Sequence, residues 1–327
     1  MPWRKWAAAA LMLVLICVVA PQSTWAQSSS KDVIRIIIPF APAGSADVLA
    51  RLLQPPLQEA LKQTVIVENR AGAASNIGTS EVARARPDGL TLLITTSAFV
   101  VNPGLYKDVP YDFAKDFAPI GLLPVAPNVF AVNPKEGGIS SISDLIARAK
   151  AEPQKFNYSS PGNGTAPQLA MELFKIETGA EITNIPYNGG GPATAALMGG
   201  TVDILSTALP GAQGQIRAGS MKGLALTTDQ RWPTLPDVPT FKELGYHDIN
   251  LTTEHFFLAP AGTPPAVIDR LSKAVLSILA RDDIKKKLVD LGLLPVADGP
   301  DAAKERIAKD VAFYKDLLVK AKIPQIQ

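Results

Sequence analysis

Cysteine and histidine are nearly absent: the 327 residues contain one cysteine, Cys17, and two histidines, His247 and His255. Cys17 lies inside an N-terminal apolar run, so the rest of the chain has neither a disulfide nor a thiol nucleophile. Neither histidine has a second histidine or a cysteine at metal-ligand spacing, which argues against a zinc site. A G-x-S-x-G nucleophile elbow and a G-x-x-x-x-G-K-[ST] phosphate loop are both missing. Gly162-Asn163-Gly164 and Gly189-Gly190-Gly191 do not complete a dinucleotide fingerprint, and the acceptor-like triplet Asn163-Gly164-Thr165 reads as loop chemistry. No catalytic residue, metal ligand or cofactor is therefore assigned. His255 leaves a Ser/His/Asp arrangement open, and with it the alternative of a secreted α/β hydrolase acting on a small carboxylated substrate. Strong charge of either sign is also lacking, with a formal net charge of +2, so there is no electrostatic footprint for nucleic acid.

Long apolar runs are confined to the N-terminus. Arg4 and Lys5 form a short basic region, Ala7–Ala20 is almost unbroken apolar, and Ser23-Thr24-Trp25-Ala26 offers small residues around a cut after Ala26. This is the pattern of a secretory signal peptide, and the run is shorter than the ~20 residues a membrane anchor needs. Ile16 before Cys17 is too large for lipoprotein cleavage. Residues 1–26 are thus expected to be removed, leaving a soluble periplasmic protein. Loss of Arg4 and Lys5 brings the 32 basic residues level with the 30 acidic ones. The remaining length suits two lobes better than one core.

What is present is one design, used twice. Ile34–Leu53 opens with Ile34, Ile36, Ile37 and Ile38, a run suited to a buried parallel strand. It passes through the small-residue loop Pro42-Ala43-Gly44-Ser45 and enters a helical pattern. Phe156–Phe174 repeats the scheme, with Ser159, Ser160, Asn163 and Thr165 in the loop and Thr165 as helix N-cap. A loop that feeds a helix leaves main-chain N–H groups unpaired at the positive end of the helix dipole, which favours an anion. Neither loop has a basic residue, so any anion would be held by amides and hydroxyls. Two such loops far apart in sequence suggest two lobes facing a cleft.

The elements between them alternate strand and helix, which implies mainly parallel sheets flanked by helices. Ligands of such sheets bind at the carboxyl ends of strands, where Ser45, Asn76, Ser97 and Thr207 fall. Pro55 is expected to kink or split the first helix. Asn102–Phe117 reads as irregular, and Ile120–Leu123 and Val129–Val132 as separate extended segments crossing between lobes. Residues 27–125 and 250–327 are expected to form lobe 1, and 126–249 lobe 2, with a hinge near Leu123–Val129 and Phe256–Pro260.

Several motifs occur in order along the chain: Ile36–Ala50, Val67–Thr79, Pro87–Leu93, Tyr158–Thr165, Ile185–Gly189, Leu235–Thr240 and Leu258–Pro264. In these the chain resembles the extracytoplasmic receptors of tripartite tricarboxylate transporters, the Bordetella-uptake-type family. The resemblance implies a two-lobed type II periplasmic-binding-protein fold that delivers a small organic acid to membrane permease subunits; a monomer is expected, although sequence does not fix the oligomeric state. It also implies that the two loops hold ligand carboxylates, partly through water, which points to Phe40, Pro42, Gly44, Ser45 and Asp47. The second loop contributes Ser160, Gly162, Asn163, Gly164 and Thr165, and Tyr187 and Gly189 also match. Where the family usually has a second Gly and a Thr, this chain has Ala43 and Ala46; it has Ala166-Pro167-Gln168 for Ser-Ser-His, Thr207-Ala208 for Asp-Asn, and Glu254 near a frequent Trp. These exchanges remove polar contacts, Phe99 and Phe256 could add apolar surface, and Glu254 either faces the cleft, where it would repel a second carboxylate, or points to solvent; the first arrangement implies a less highly charged ligand than citrate.

Overall fold

The computed structural model describes residues 33–135, 138–321 and 323–326; the segment read as a signal peptide lies outside the described residues. Short runs rich in β-branched residues and leucine become buried parallel strands: β1 (Val33–Ile38), β2 (Thr64–Asn69) and β3 (Thr91–Thr96). β1 lies between the other two, parallel to both. The crossover helices are α1 (Ser45–Leu61) and α2 (Asn76–Ala83). α1 buries Leu49, Leu53, Leu57 and Leu61 along one stripe, and each such burial contributes roughly 1.5–3 kcal/mol. The break expected at Pro55 does not occur, and α1 runs on through Pro55 and Pro56. The apolar stripe continues on both sides of the prolines and offsets the lost amide donors.

β4 (Phe117–Val132) is a single strand of 16 residues where the sequence suggested two segments. Its prolines are absorbed in the antiparallel ladder to β9 (Thr252–Pro260) by register shifts between Pro119 and Gly121 and between Leu123 and Ala126. Bulges are where strands tolerate proline. The first part of β4 pairs with β9, which in turn pairs antiparallel with β3. The last part, Asn128–Val132, lies between β7 (Ile204–Ala208) and β8 (Lys222–Leu226), with β7 continuing to β5 (Asn157–Ser160) and β6 (Thr183–Pro186) in parallel. The order is β2-β1-β3-β9-β4-β7-β5-β6, with β8 on β4.

Helix α3 (Ala98–Leu105) occupies part of the stretch read as irregular. Beyond it, Tyr111 and Phe117 are buried against Phe99, with ring centroids 5.7 and 5.1 Å away. Phe99 and Phe256 both belong to this buried core and add nothing to a cleft. The second sheet half carries α4 (Ile142–Ala151), α5 (Ala166–Thr178), α6 (Gly190–Met198) and α7 (Gln213–Arg217). The C-terminal helices α8 (Pro265–Leu279), α9 (Asp282–Asp290) and α10 (Pro300–Lys320) return towards the first half, α8 onto α1 and α10 onto β4 and α3.

The chain passes between the sheet halves within β4 and again between β8 and β9. Asn128 ties the two passages together. Its N–H donates to Thr227 Oγ1 at 3.0 Å, its Nδ2 to the Leu251 carbonyl at 2.6 Å, and its Oδ1 accepts from Thr253 Oγ1 at 2.6 Å. The flexing segment expected at Phe256–Pro260 is misplaced, because Phe256, Phe257 and Leu258 are paired on both sides. Bending there would break two ladders at once.

Candidate ligand-binding site

The loop after β1 is set by its own helix. The Asp47 carboxylate accepts from Ala43 N at 3.0 Å, Arg51 Nε at 3.1 Å and Asn69 Nδ2 at 2.9 Å. This holds Ala43 at a left-handed φ of 66°. Burial alone would raise the Asp47 pKa, but these donors outweigh it and keep the carboxyl below its ordinary value. Asp47 is therefore an ionised anchor whose charge is met by Arg51, one turn along α1.

The loop after β5 is closed by Thr165 Oγ1 donating to the Gly162 carbonyl at 2.7 Å and Gly164 N donating to Gln168 Oε1 at 3.2 Å. Behind it, Ser160 Oγ donates to Asn184 Oδ1 and Asn184 Nδ2 to Asn163 Oδ1, both at 2.9 Å. A third loop follows β6, and Tyr187 N ties it to the Ser160 carbonyl at 2.9 Å. It meets the first loop directly, with Ala41 N donating to the Asn188 carbonyl at 2.7 Å. Glycine is required along this seam. A Cβ on Gly189, at φ +138°, would lie 3.0 Å from Ala41 N, and one on Gly191 would lie 2.2 Å from the Pro42 carbonyl oxygen.

One cavity sits where the three loops converge. The first loop supplies Phe40, Gly44, Ser45, Ala46 and Asp47, the second Pro161, Thr165 and Pro167, and the third Gly190. Strand ends complete it with Thr96, Thr207, Ala208 and Thr253. Its water-accessible volume is about 30 Å³; at roughly 10–15 Å³ per water on that measure it admits about two. The N-termini of α1, α5 and α6 all open onto it, and no Lys, Arg or His side chain lines it. Each terminus carries roughly half a positive charge on amides free of intrahelical partners.

Of the residues expected from sequence, Phe40, Gly44, Ser45, Ala46, Asp47, Thr165 and Thr207 come together in the wall. Pro42 and Ala43 are exposed at the seam, and Ser160, Gly162, Asn163, Gly164, Tyr187 and Gly189 shape the loops from outside the wall. Three residues lie elsewhere. Asn76 accepts from Asn102 Nδ2 at 2.8 Å behind the second loop. Ser97 is fully buried beside the Tyr314 hydroxyl of α10; the residue before it, Thr96, reaches the cavity instead. Glu254 does not face the cleft: it is 2% exposed and pairs with Arg306 of α10. Strand alternation explains this, since Thr253 lines the cavity and its neighbour must point to the other face.

Alternation brings His255 back to the cavity side. It is fully buried, with Nε2 2.9 Å from Ser45 Oγ and Nδ1 2.6 Å from the Pro124 carbonyl. Burial lowers its pKa to about 4, against the opposing pull of that carbonyl. Sequence reasoning held His255 in reserve as a possible base but did not join it to Ser45. Thr96, Pro161, Gly190 and Thr253 were missed as wall residues; their signal is their place at strand ends and helix starts.

A family model described as the tripartite tricarboxylate transporter family receptor matches residues 49–322. The chain belongs to that family. It is 36% identical to protein BugT of Bordetella pertussis over 85% of this chain and 86% of the relative. Among solved structures, the periplasmic binding protein BugD aligns with a TM-score of 0.85 at 33% identity, covering 89% of this chain and 98% of the other. A Rhodopseudomonas palustris protein with adipate gives 0.85 at 32% identity, covering 88% and 97%. MatC of the same organism, with bound malate, gives 0.82 at 27% identity over 88% and 98%. The fold is thus that of type II periplasmic binding proteins, and the family is one of periplasmic solute receptors. Among the described residues no helix is long and apolar enough to cross a membrane.

Proposed function

We propose that this chain is an exported receptor that binds a small organic acid in the cavity between its sheet halves and delivers it to the permease of a tripartite transporter. The observation that carries the reading is the convergence of three helix N-termini on a cavity without a basic side chain. Amide-lined sites of this kind hold anions, and relatives of similar fold were solved with adipate and with malate. The wall residues named above would hold the carboxylate through the amides of Gly44, Ser45, Ala46 and Gly190 and the hydroxyls of Thr165 and Thr207. Residues 27–125 and 250–327, which include β9 and the C-terminal helices, form one lobe in this reading and 126–249 the other, so that closure brings the first loop against the third. Export by the N-terminal segment and action as a monomer complete the proposal.

The Ser45–His255 contact favours one rival, a hydrolase. A serine hydrolase needs its histidine to accept a proton and a carboxylate to steady the resulting imidazolium. Here the third partner is a main-chain carbonyl, and burial makes the imidazole a weak base. Calorimetry on EDTA-treated protein with malate, succinate and adipate separates the readings. At least one acid should bind and be recovered unchanged by NMR. Loss of binding on chelation, or conversion of the acid, would defeat the receptor reading.

A further inference from the structure

The Pro124 carbonyl can only accept a hydrogen bond, so the proton of a neutral His255 ring resides on Nδ1, 2.6 Å away. Nε2 is then a bare lone pair, and its partner at 2.9 Å, Ser45 Oγ, must donate to it. The ring is fully buried, and its lowered pKa keeps it neutral around pH 7. Ser45 is the first residue of α1 and lines the cavity, where its hydroxyl thus turns oxygen lone pairs towards the ligand and no proton. A carboxylate oxygen against that atom would meet acceptor with acceptor. A ligand hydroxyl or amide N–H would be satisfied there.

We infer that His255 is a specificity-determining residue which, by taking the Ser45 proton, makes the site select organic acids bearing a hydrogen-bond donor near the carboxylate. This rests on the carboxylate-receptor reading and sharpens it. The carboxylate goes to the amides at the start of α1 and α6, and the donor, a hydroxyl or amide N–H, to Ser45 Oγ. The polarity is fixed by the fold, because the carbonyl that sets the tautomer belongs to the proline bulge between Leu123 and Ala126 of β4. A neutral ring held this way acts as a positioning group and forms no bond to the ligand.

Two measurements test this on the mature protein. The first needs no ligand: ¹⁵N-histidine NMR on wild type and His247→Asn assigns the two histidines of the chain. His255 should show a protonated Nδ1 and an unprotonated Nε2, and remain neutral down to pH 5. The opposite tautomer, or an imidazolium at pH 7, overturns the proposal. The second compares matched acids by calorimetry: malate with succinate, lactate with propionate, and 3-hydroxybutyrate with butyrate. The hydroxylated member of a bound pair should bind at least about five-fold more tightly, the low end of the effect of leaving one buried polar group unsatisfied. Ser45→Ala should bring that ratio close to one, because the hydroxylated acid loses more affinity than its plain partner, a selective loss that mere loosening of the fold would not produce. His255→Phe, which returns the proton to Ser45, should shift preference towards the plain acid. Equal binding of paired acids to wild type, or an unchanged ratio in Ser45→Ala, defeats this inference and leaves the receptor reading standing. Failure of all six acids and of adipate to bind defeats both.

Discussion

At the scale of single residues, the protein separates groups that touch the cavity from groups that hold it together by alternation along β9. Thr253 lines the cavity and His255 backs its wall through Ser45, whereas Glu254 between them faces α10, where Arg306, Asp310 and Tyr314 surround it. Burial and then the neighbouring Asp310 raise the Glu254 pKa to about 7, against Arg306 and Thr252. A carboxyl whose pKa is higher folded than unfolded contributes stability in full below its unfolded pKa, near 4.3. That contribution is lost as pH rises through about 7. Urea denaturation of wild type and Glu254→Gln at pH 5 and pH 8 reads this directly. The variant should gain on wild type between the two by up to about 3 kcal/mol, at 1.36 kcal/mol per pKa unit; a difference independent of pH would refute it. Ser45, Thr165 and Thr207 were legible in the sequence because hydroxyl-bearing loops before helices are local signals. Glu254 was misplaced because one residue of register decides the face. The Ser45–His255 contact spans 210 positions and depends on a bulge, which no local pattern announces.

At the scale of elements, the start of each cavity helix was readable, and so was the β-branched run of β1. The joining of two apolar segments into β4 was not, because Pro119, Pro124 and Pro127 read as breaks until a partner strand absorbs them. The seam between the first and third loops is the element feature with the sharpest consequence. A Cβ on Gly191 falls 2.2 Å from a main-chain oxygen, so Gly191→Ala must push the loops apart. For whichever of malate, succinate or adipate the wild type binds, affinity should fall at least about five-fold, the lower end of the roughly 1–3 kcal/mol that overpacking costs. A methyl group added at Gly214, inside α7, would meet nothing within 4 Å. Gly214→Ala should therefore leave affinity unchanged while slightly raising the melting temperature. Equal binding by wild type and Gly191→Ala would remove the seam from the mechanism.

At the scale of the whole molecule, the proposed closure would turn about the two chain passages tied at Asn128. Small-angle scattering should show a smaller radius of gyration for wild type saturated with its tightest acid, and no such change for Gly191→Ala. An identical radius with and without the acid would argue against closure. The alternating pattern and the family motifs made the sheet halves legible. The tie at Asn128 was not, because Asn128, Thr227 and Leu251 look unremarkable until two distant strands place them side by side.

The seam also decides how such a receptor would unload. The cavity takes its wall from the loops on both sides of the seam, so parting the sheet halves there would break the bond from Ala41 to Asn188. Pro42 and Ala43 stand exposed at that joint. In the proposed receptor reading, a permease that levered the joint apart would release the acid without entering the pocket or competing for any contact within it. Unloading of that kind would be mechanical and would serve equally every acid the pocket accepts.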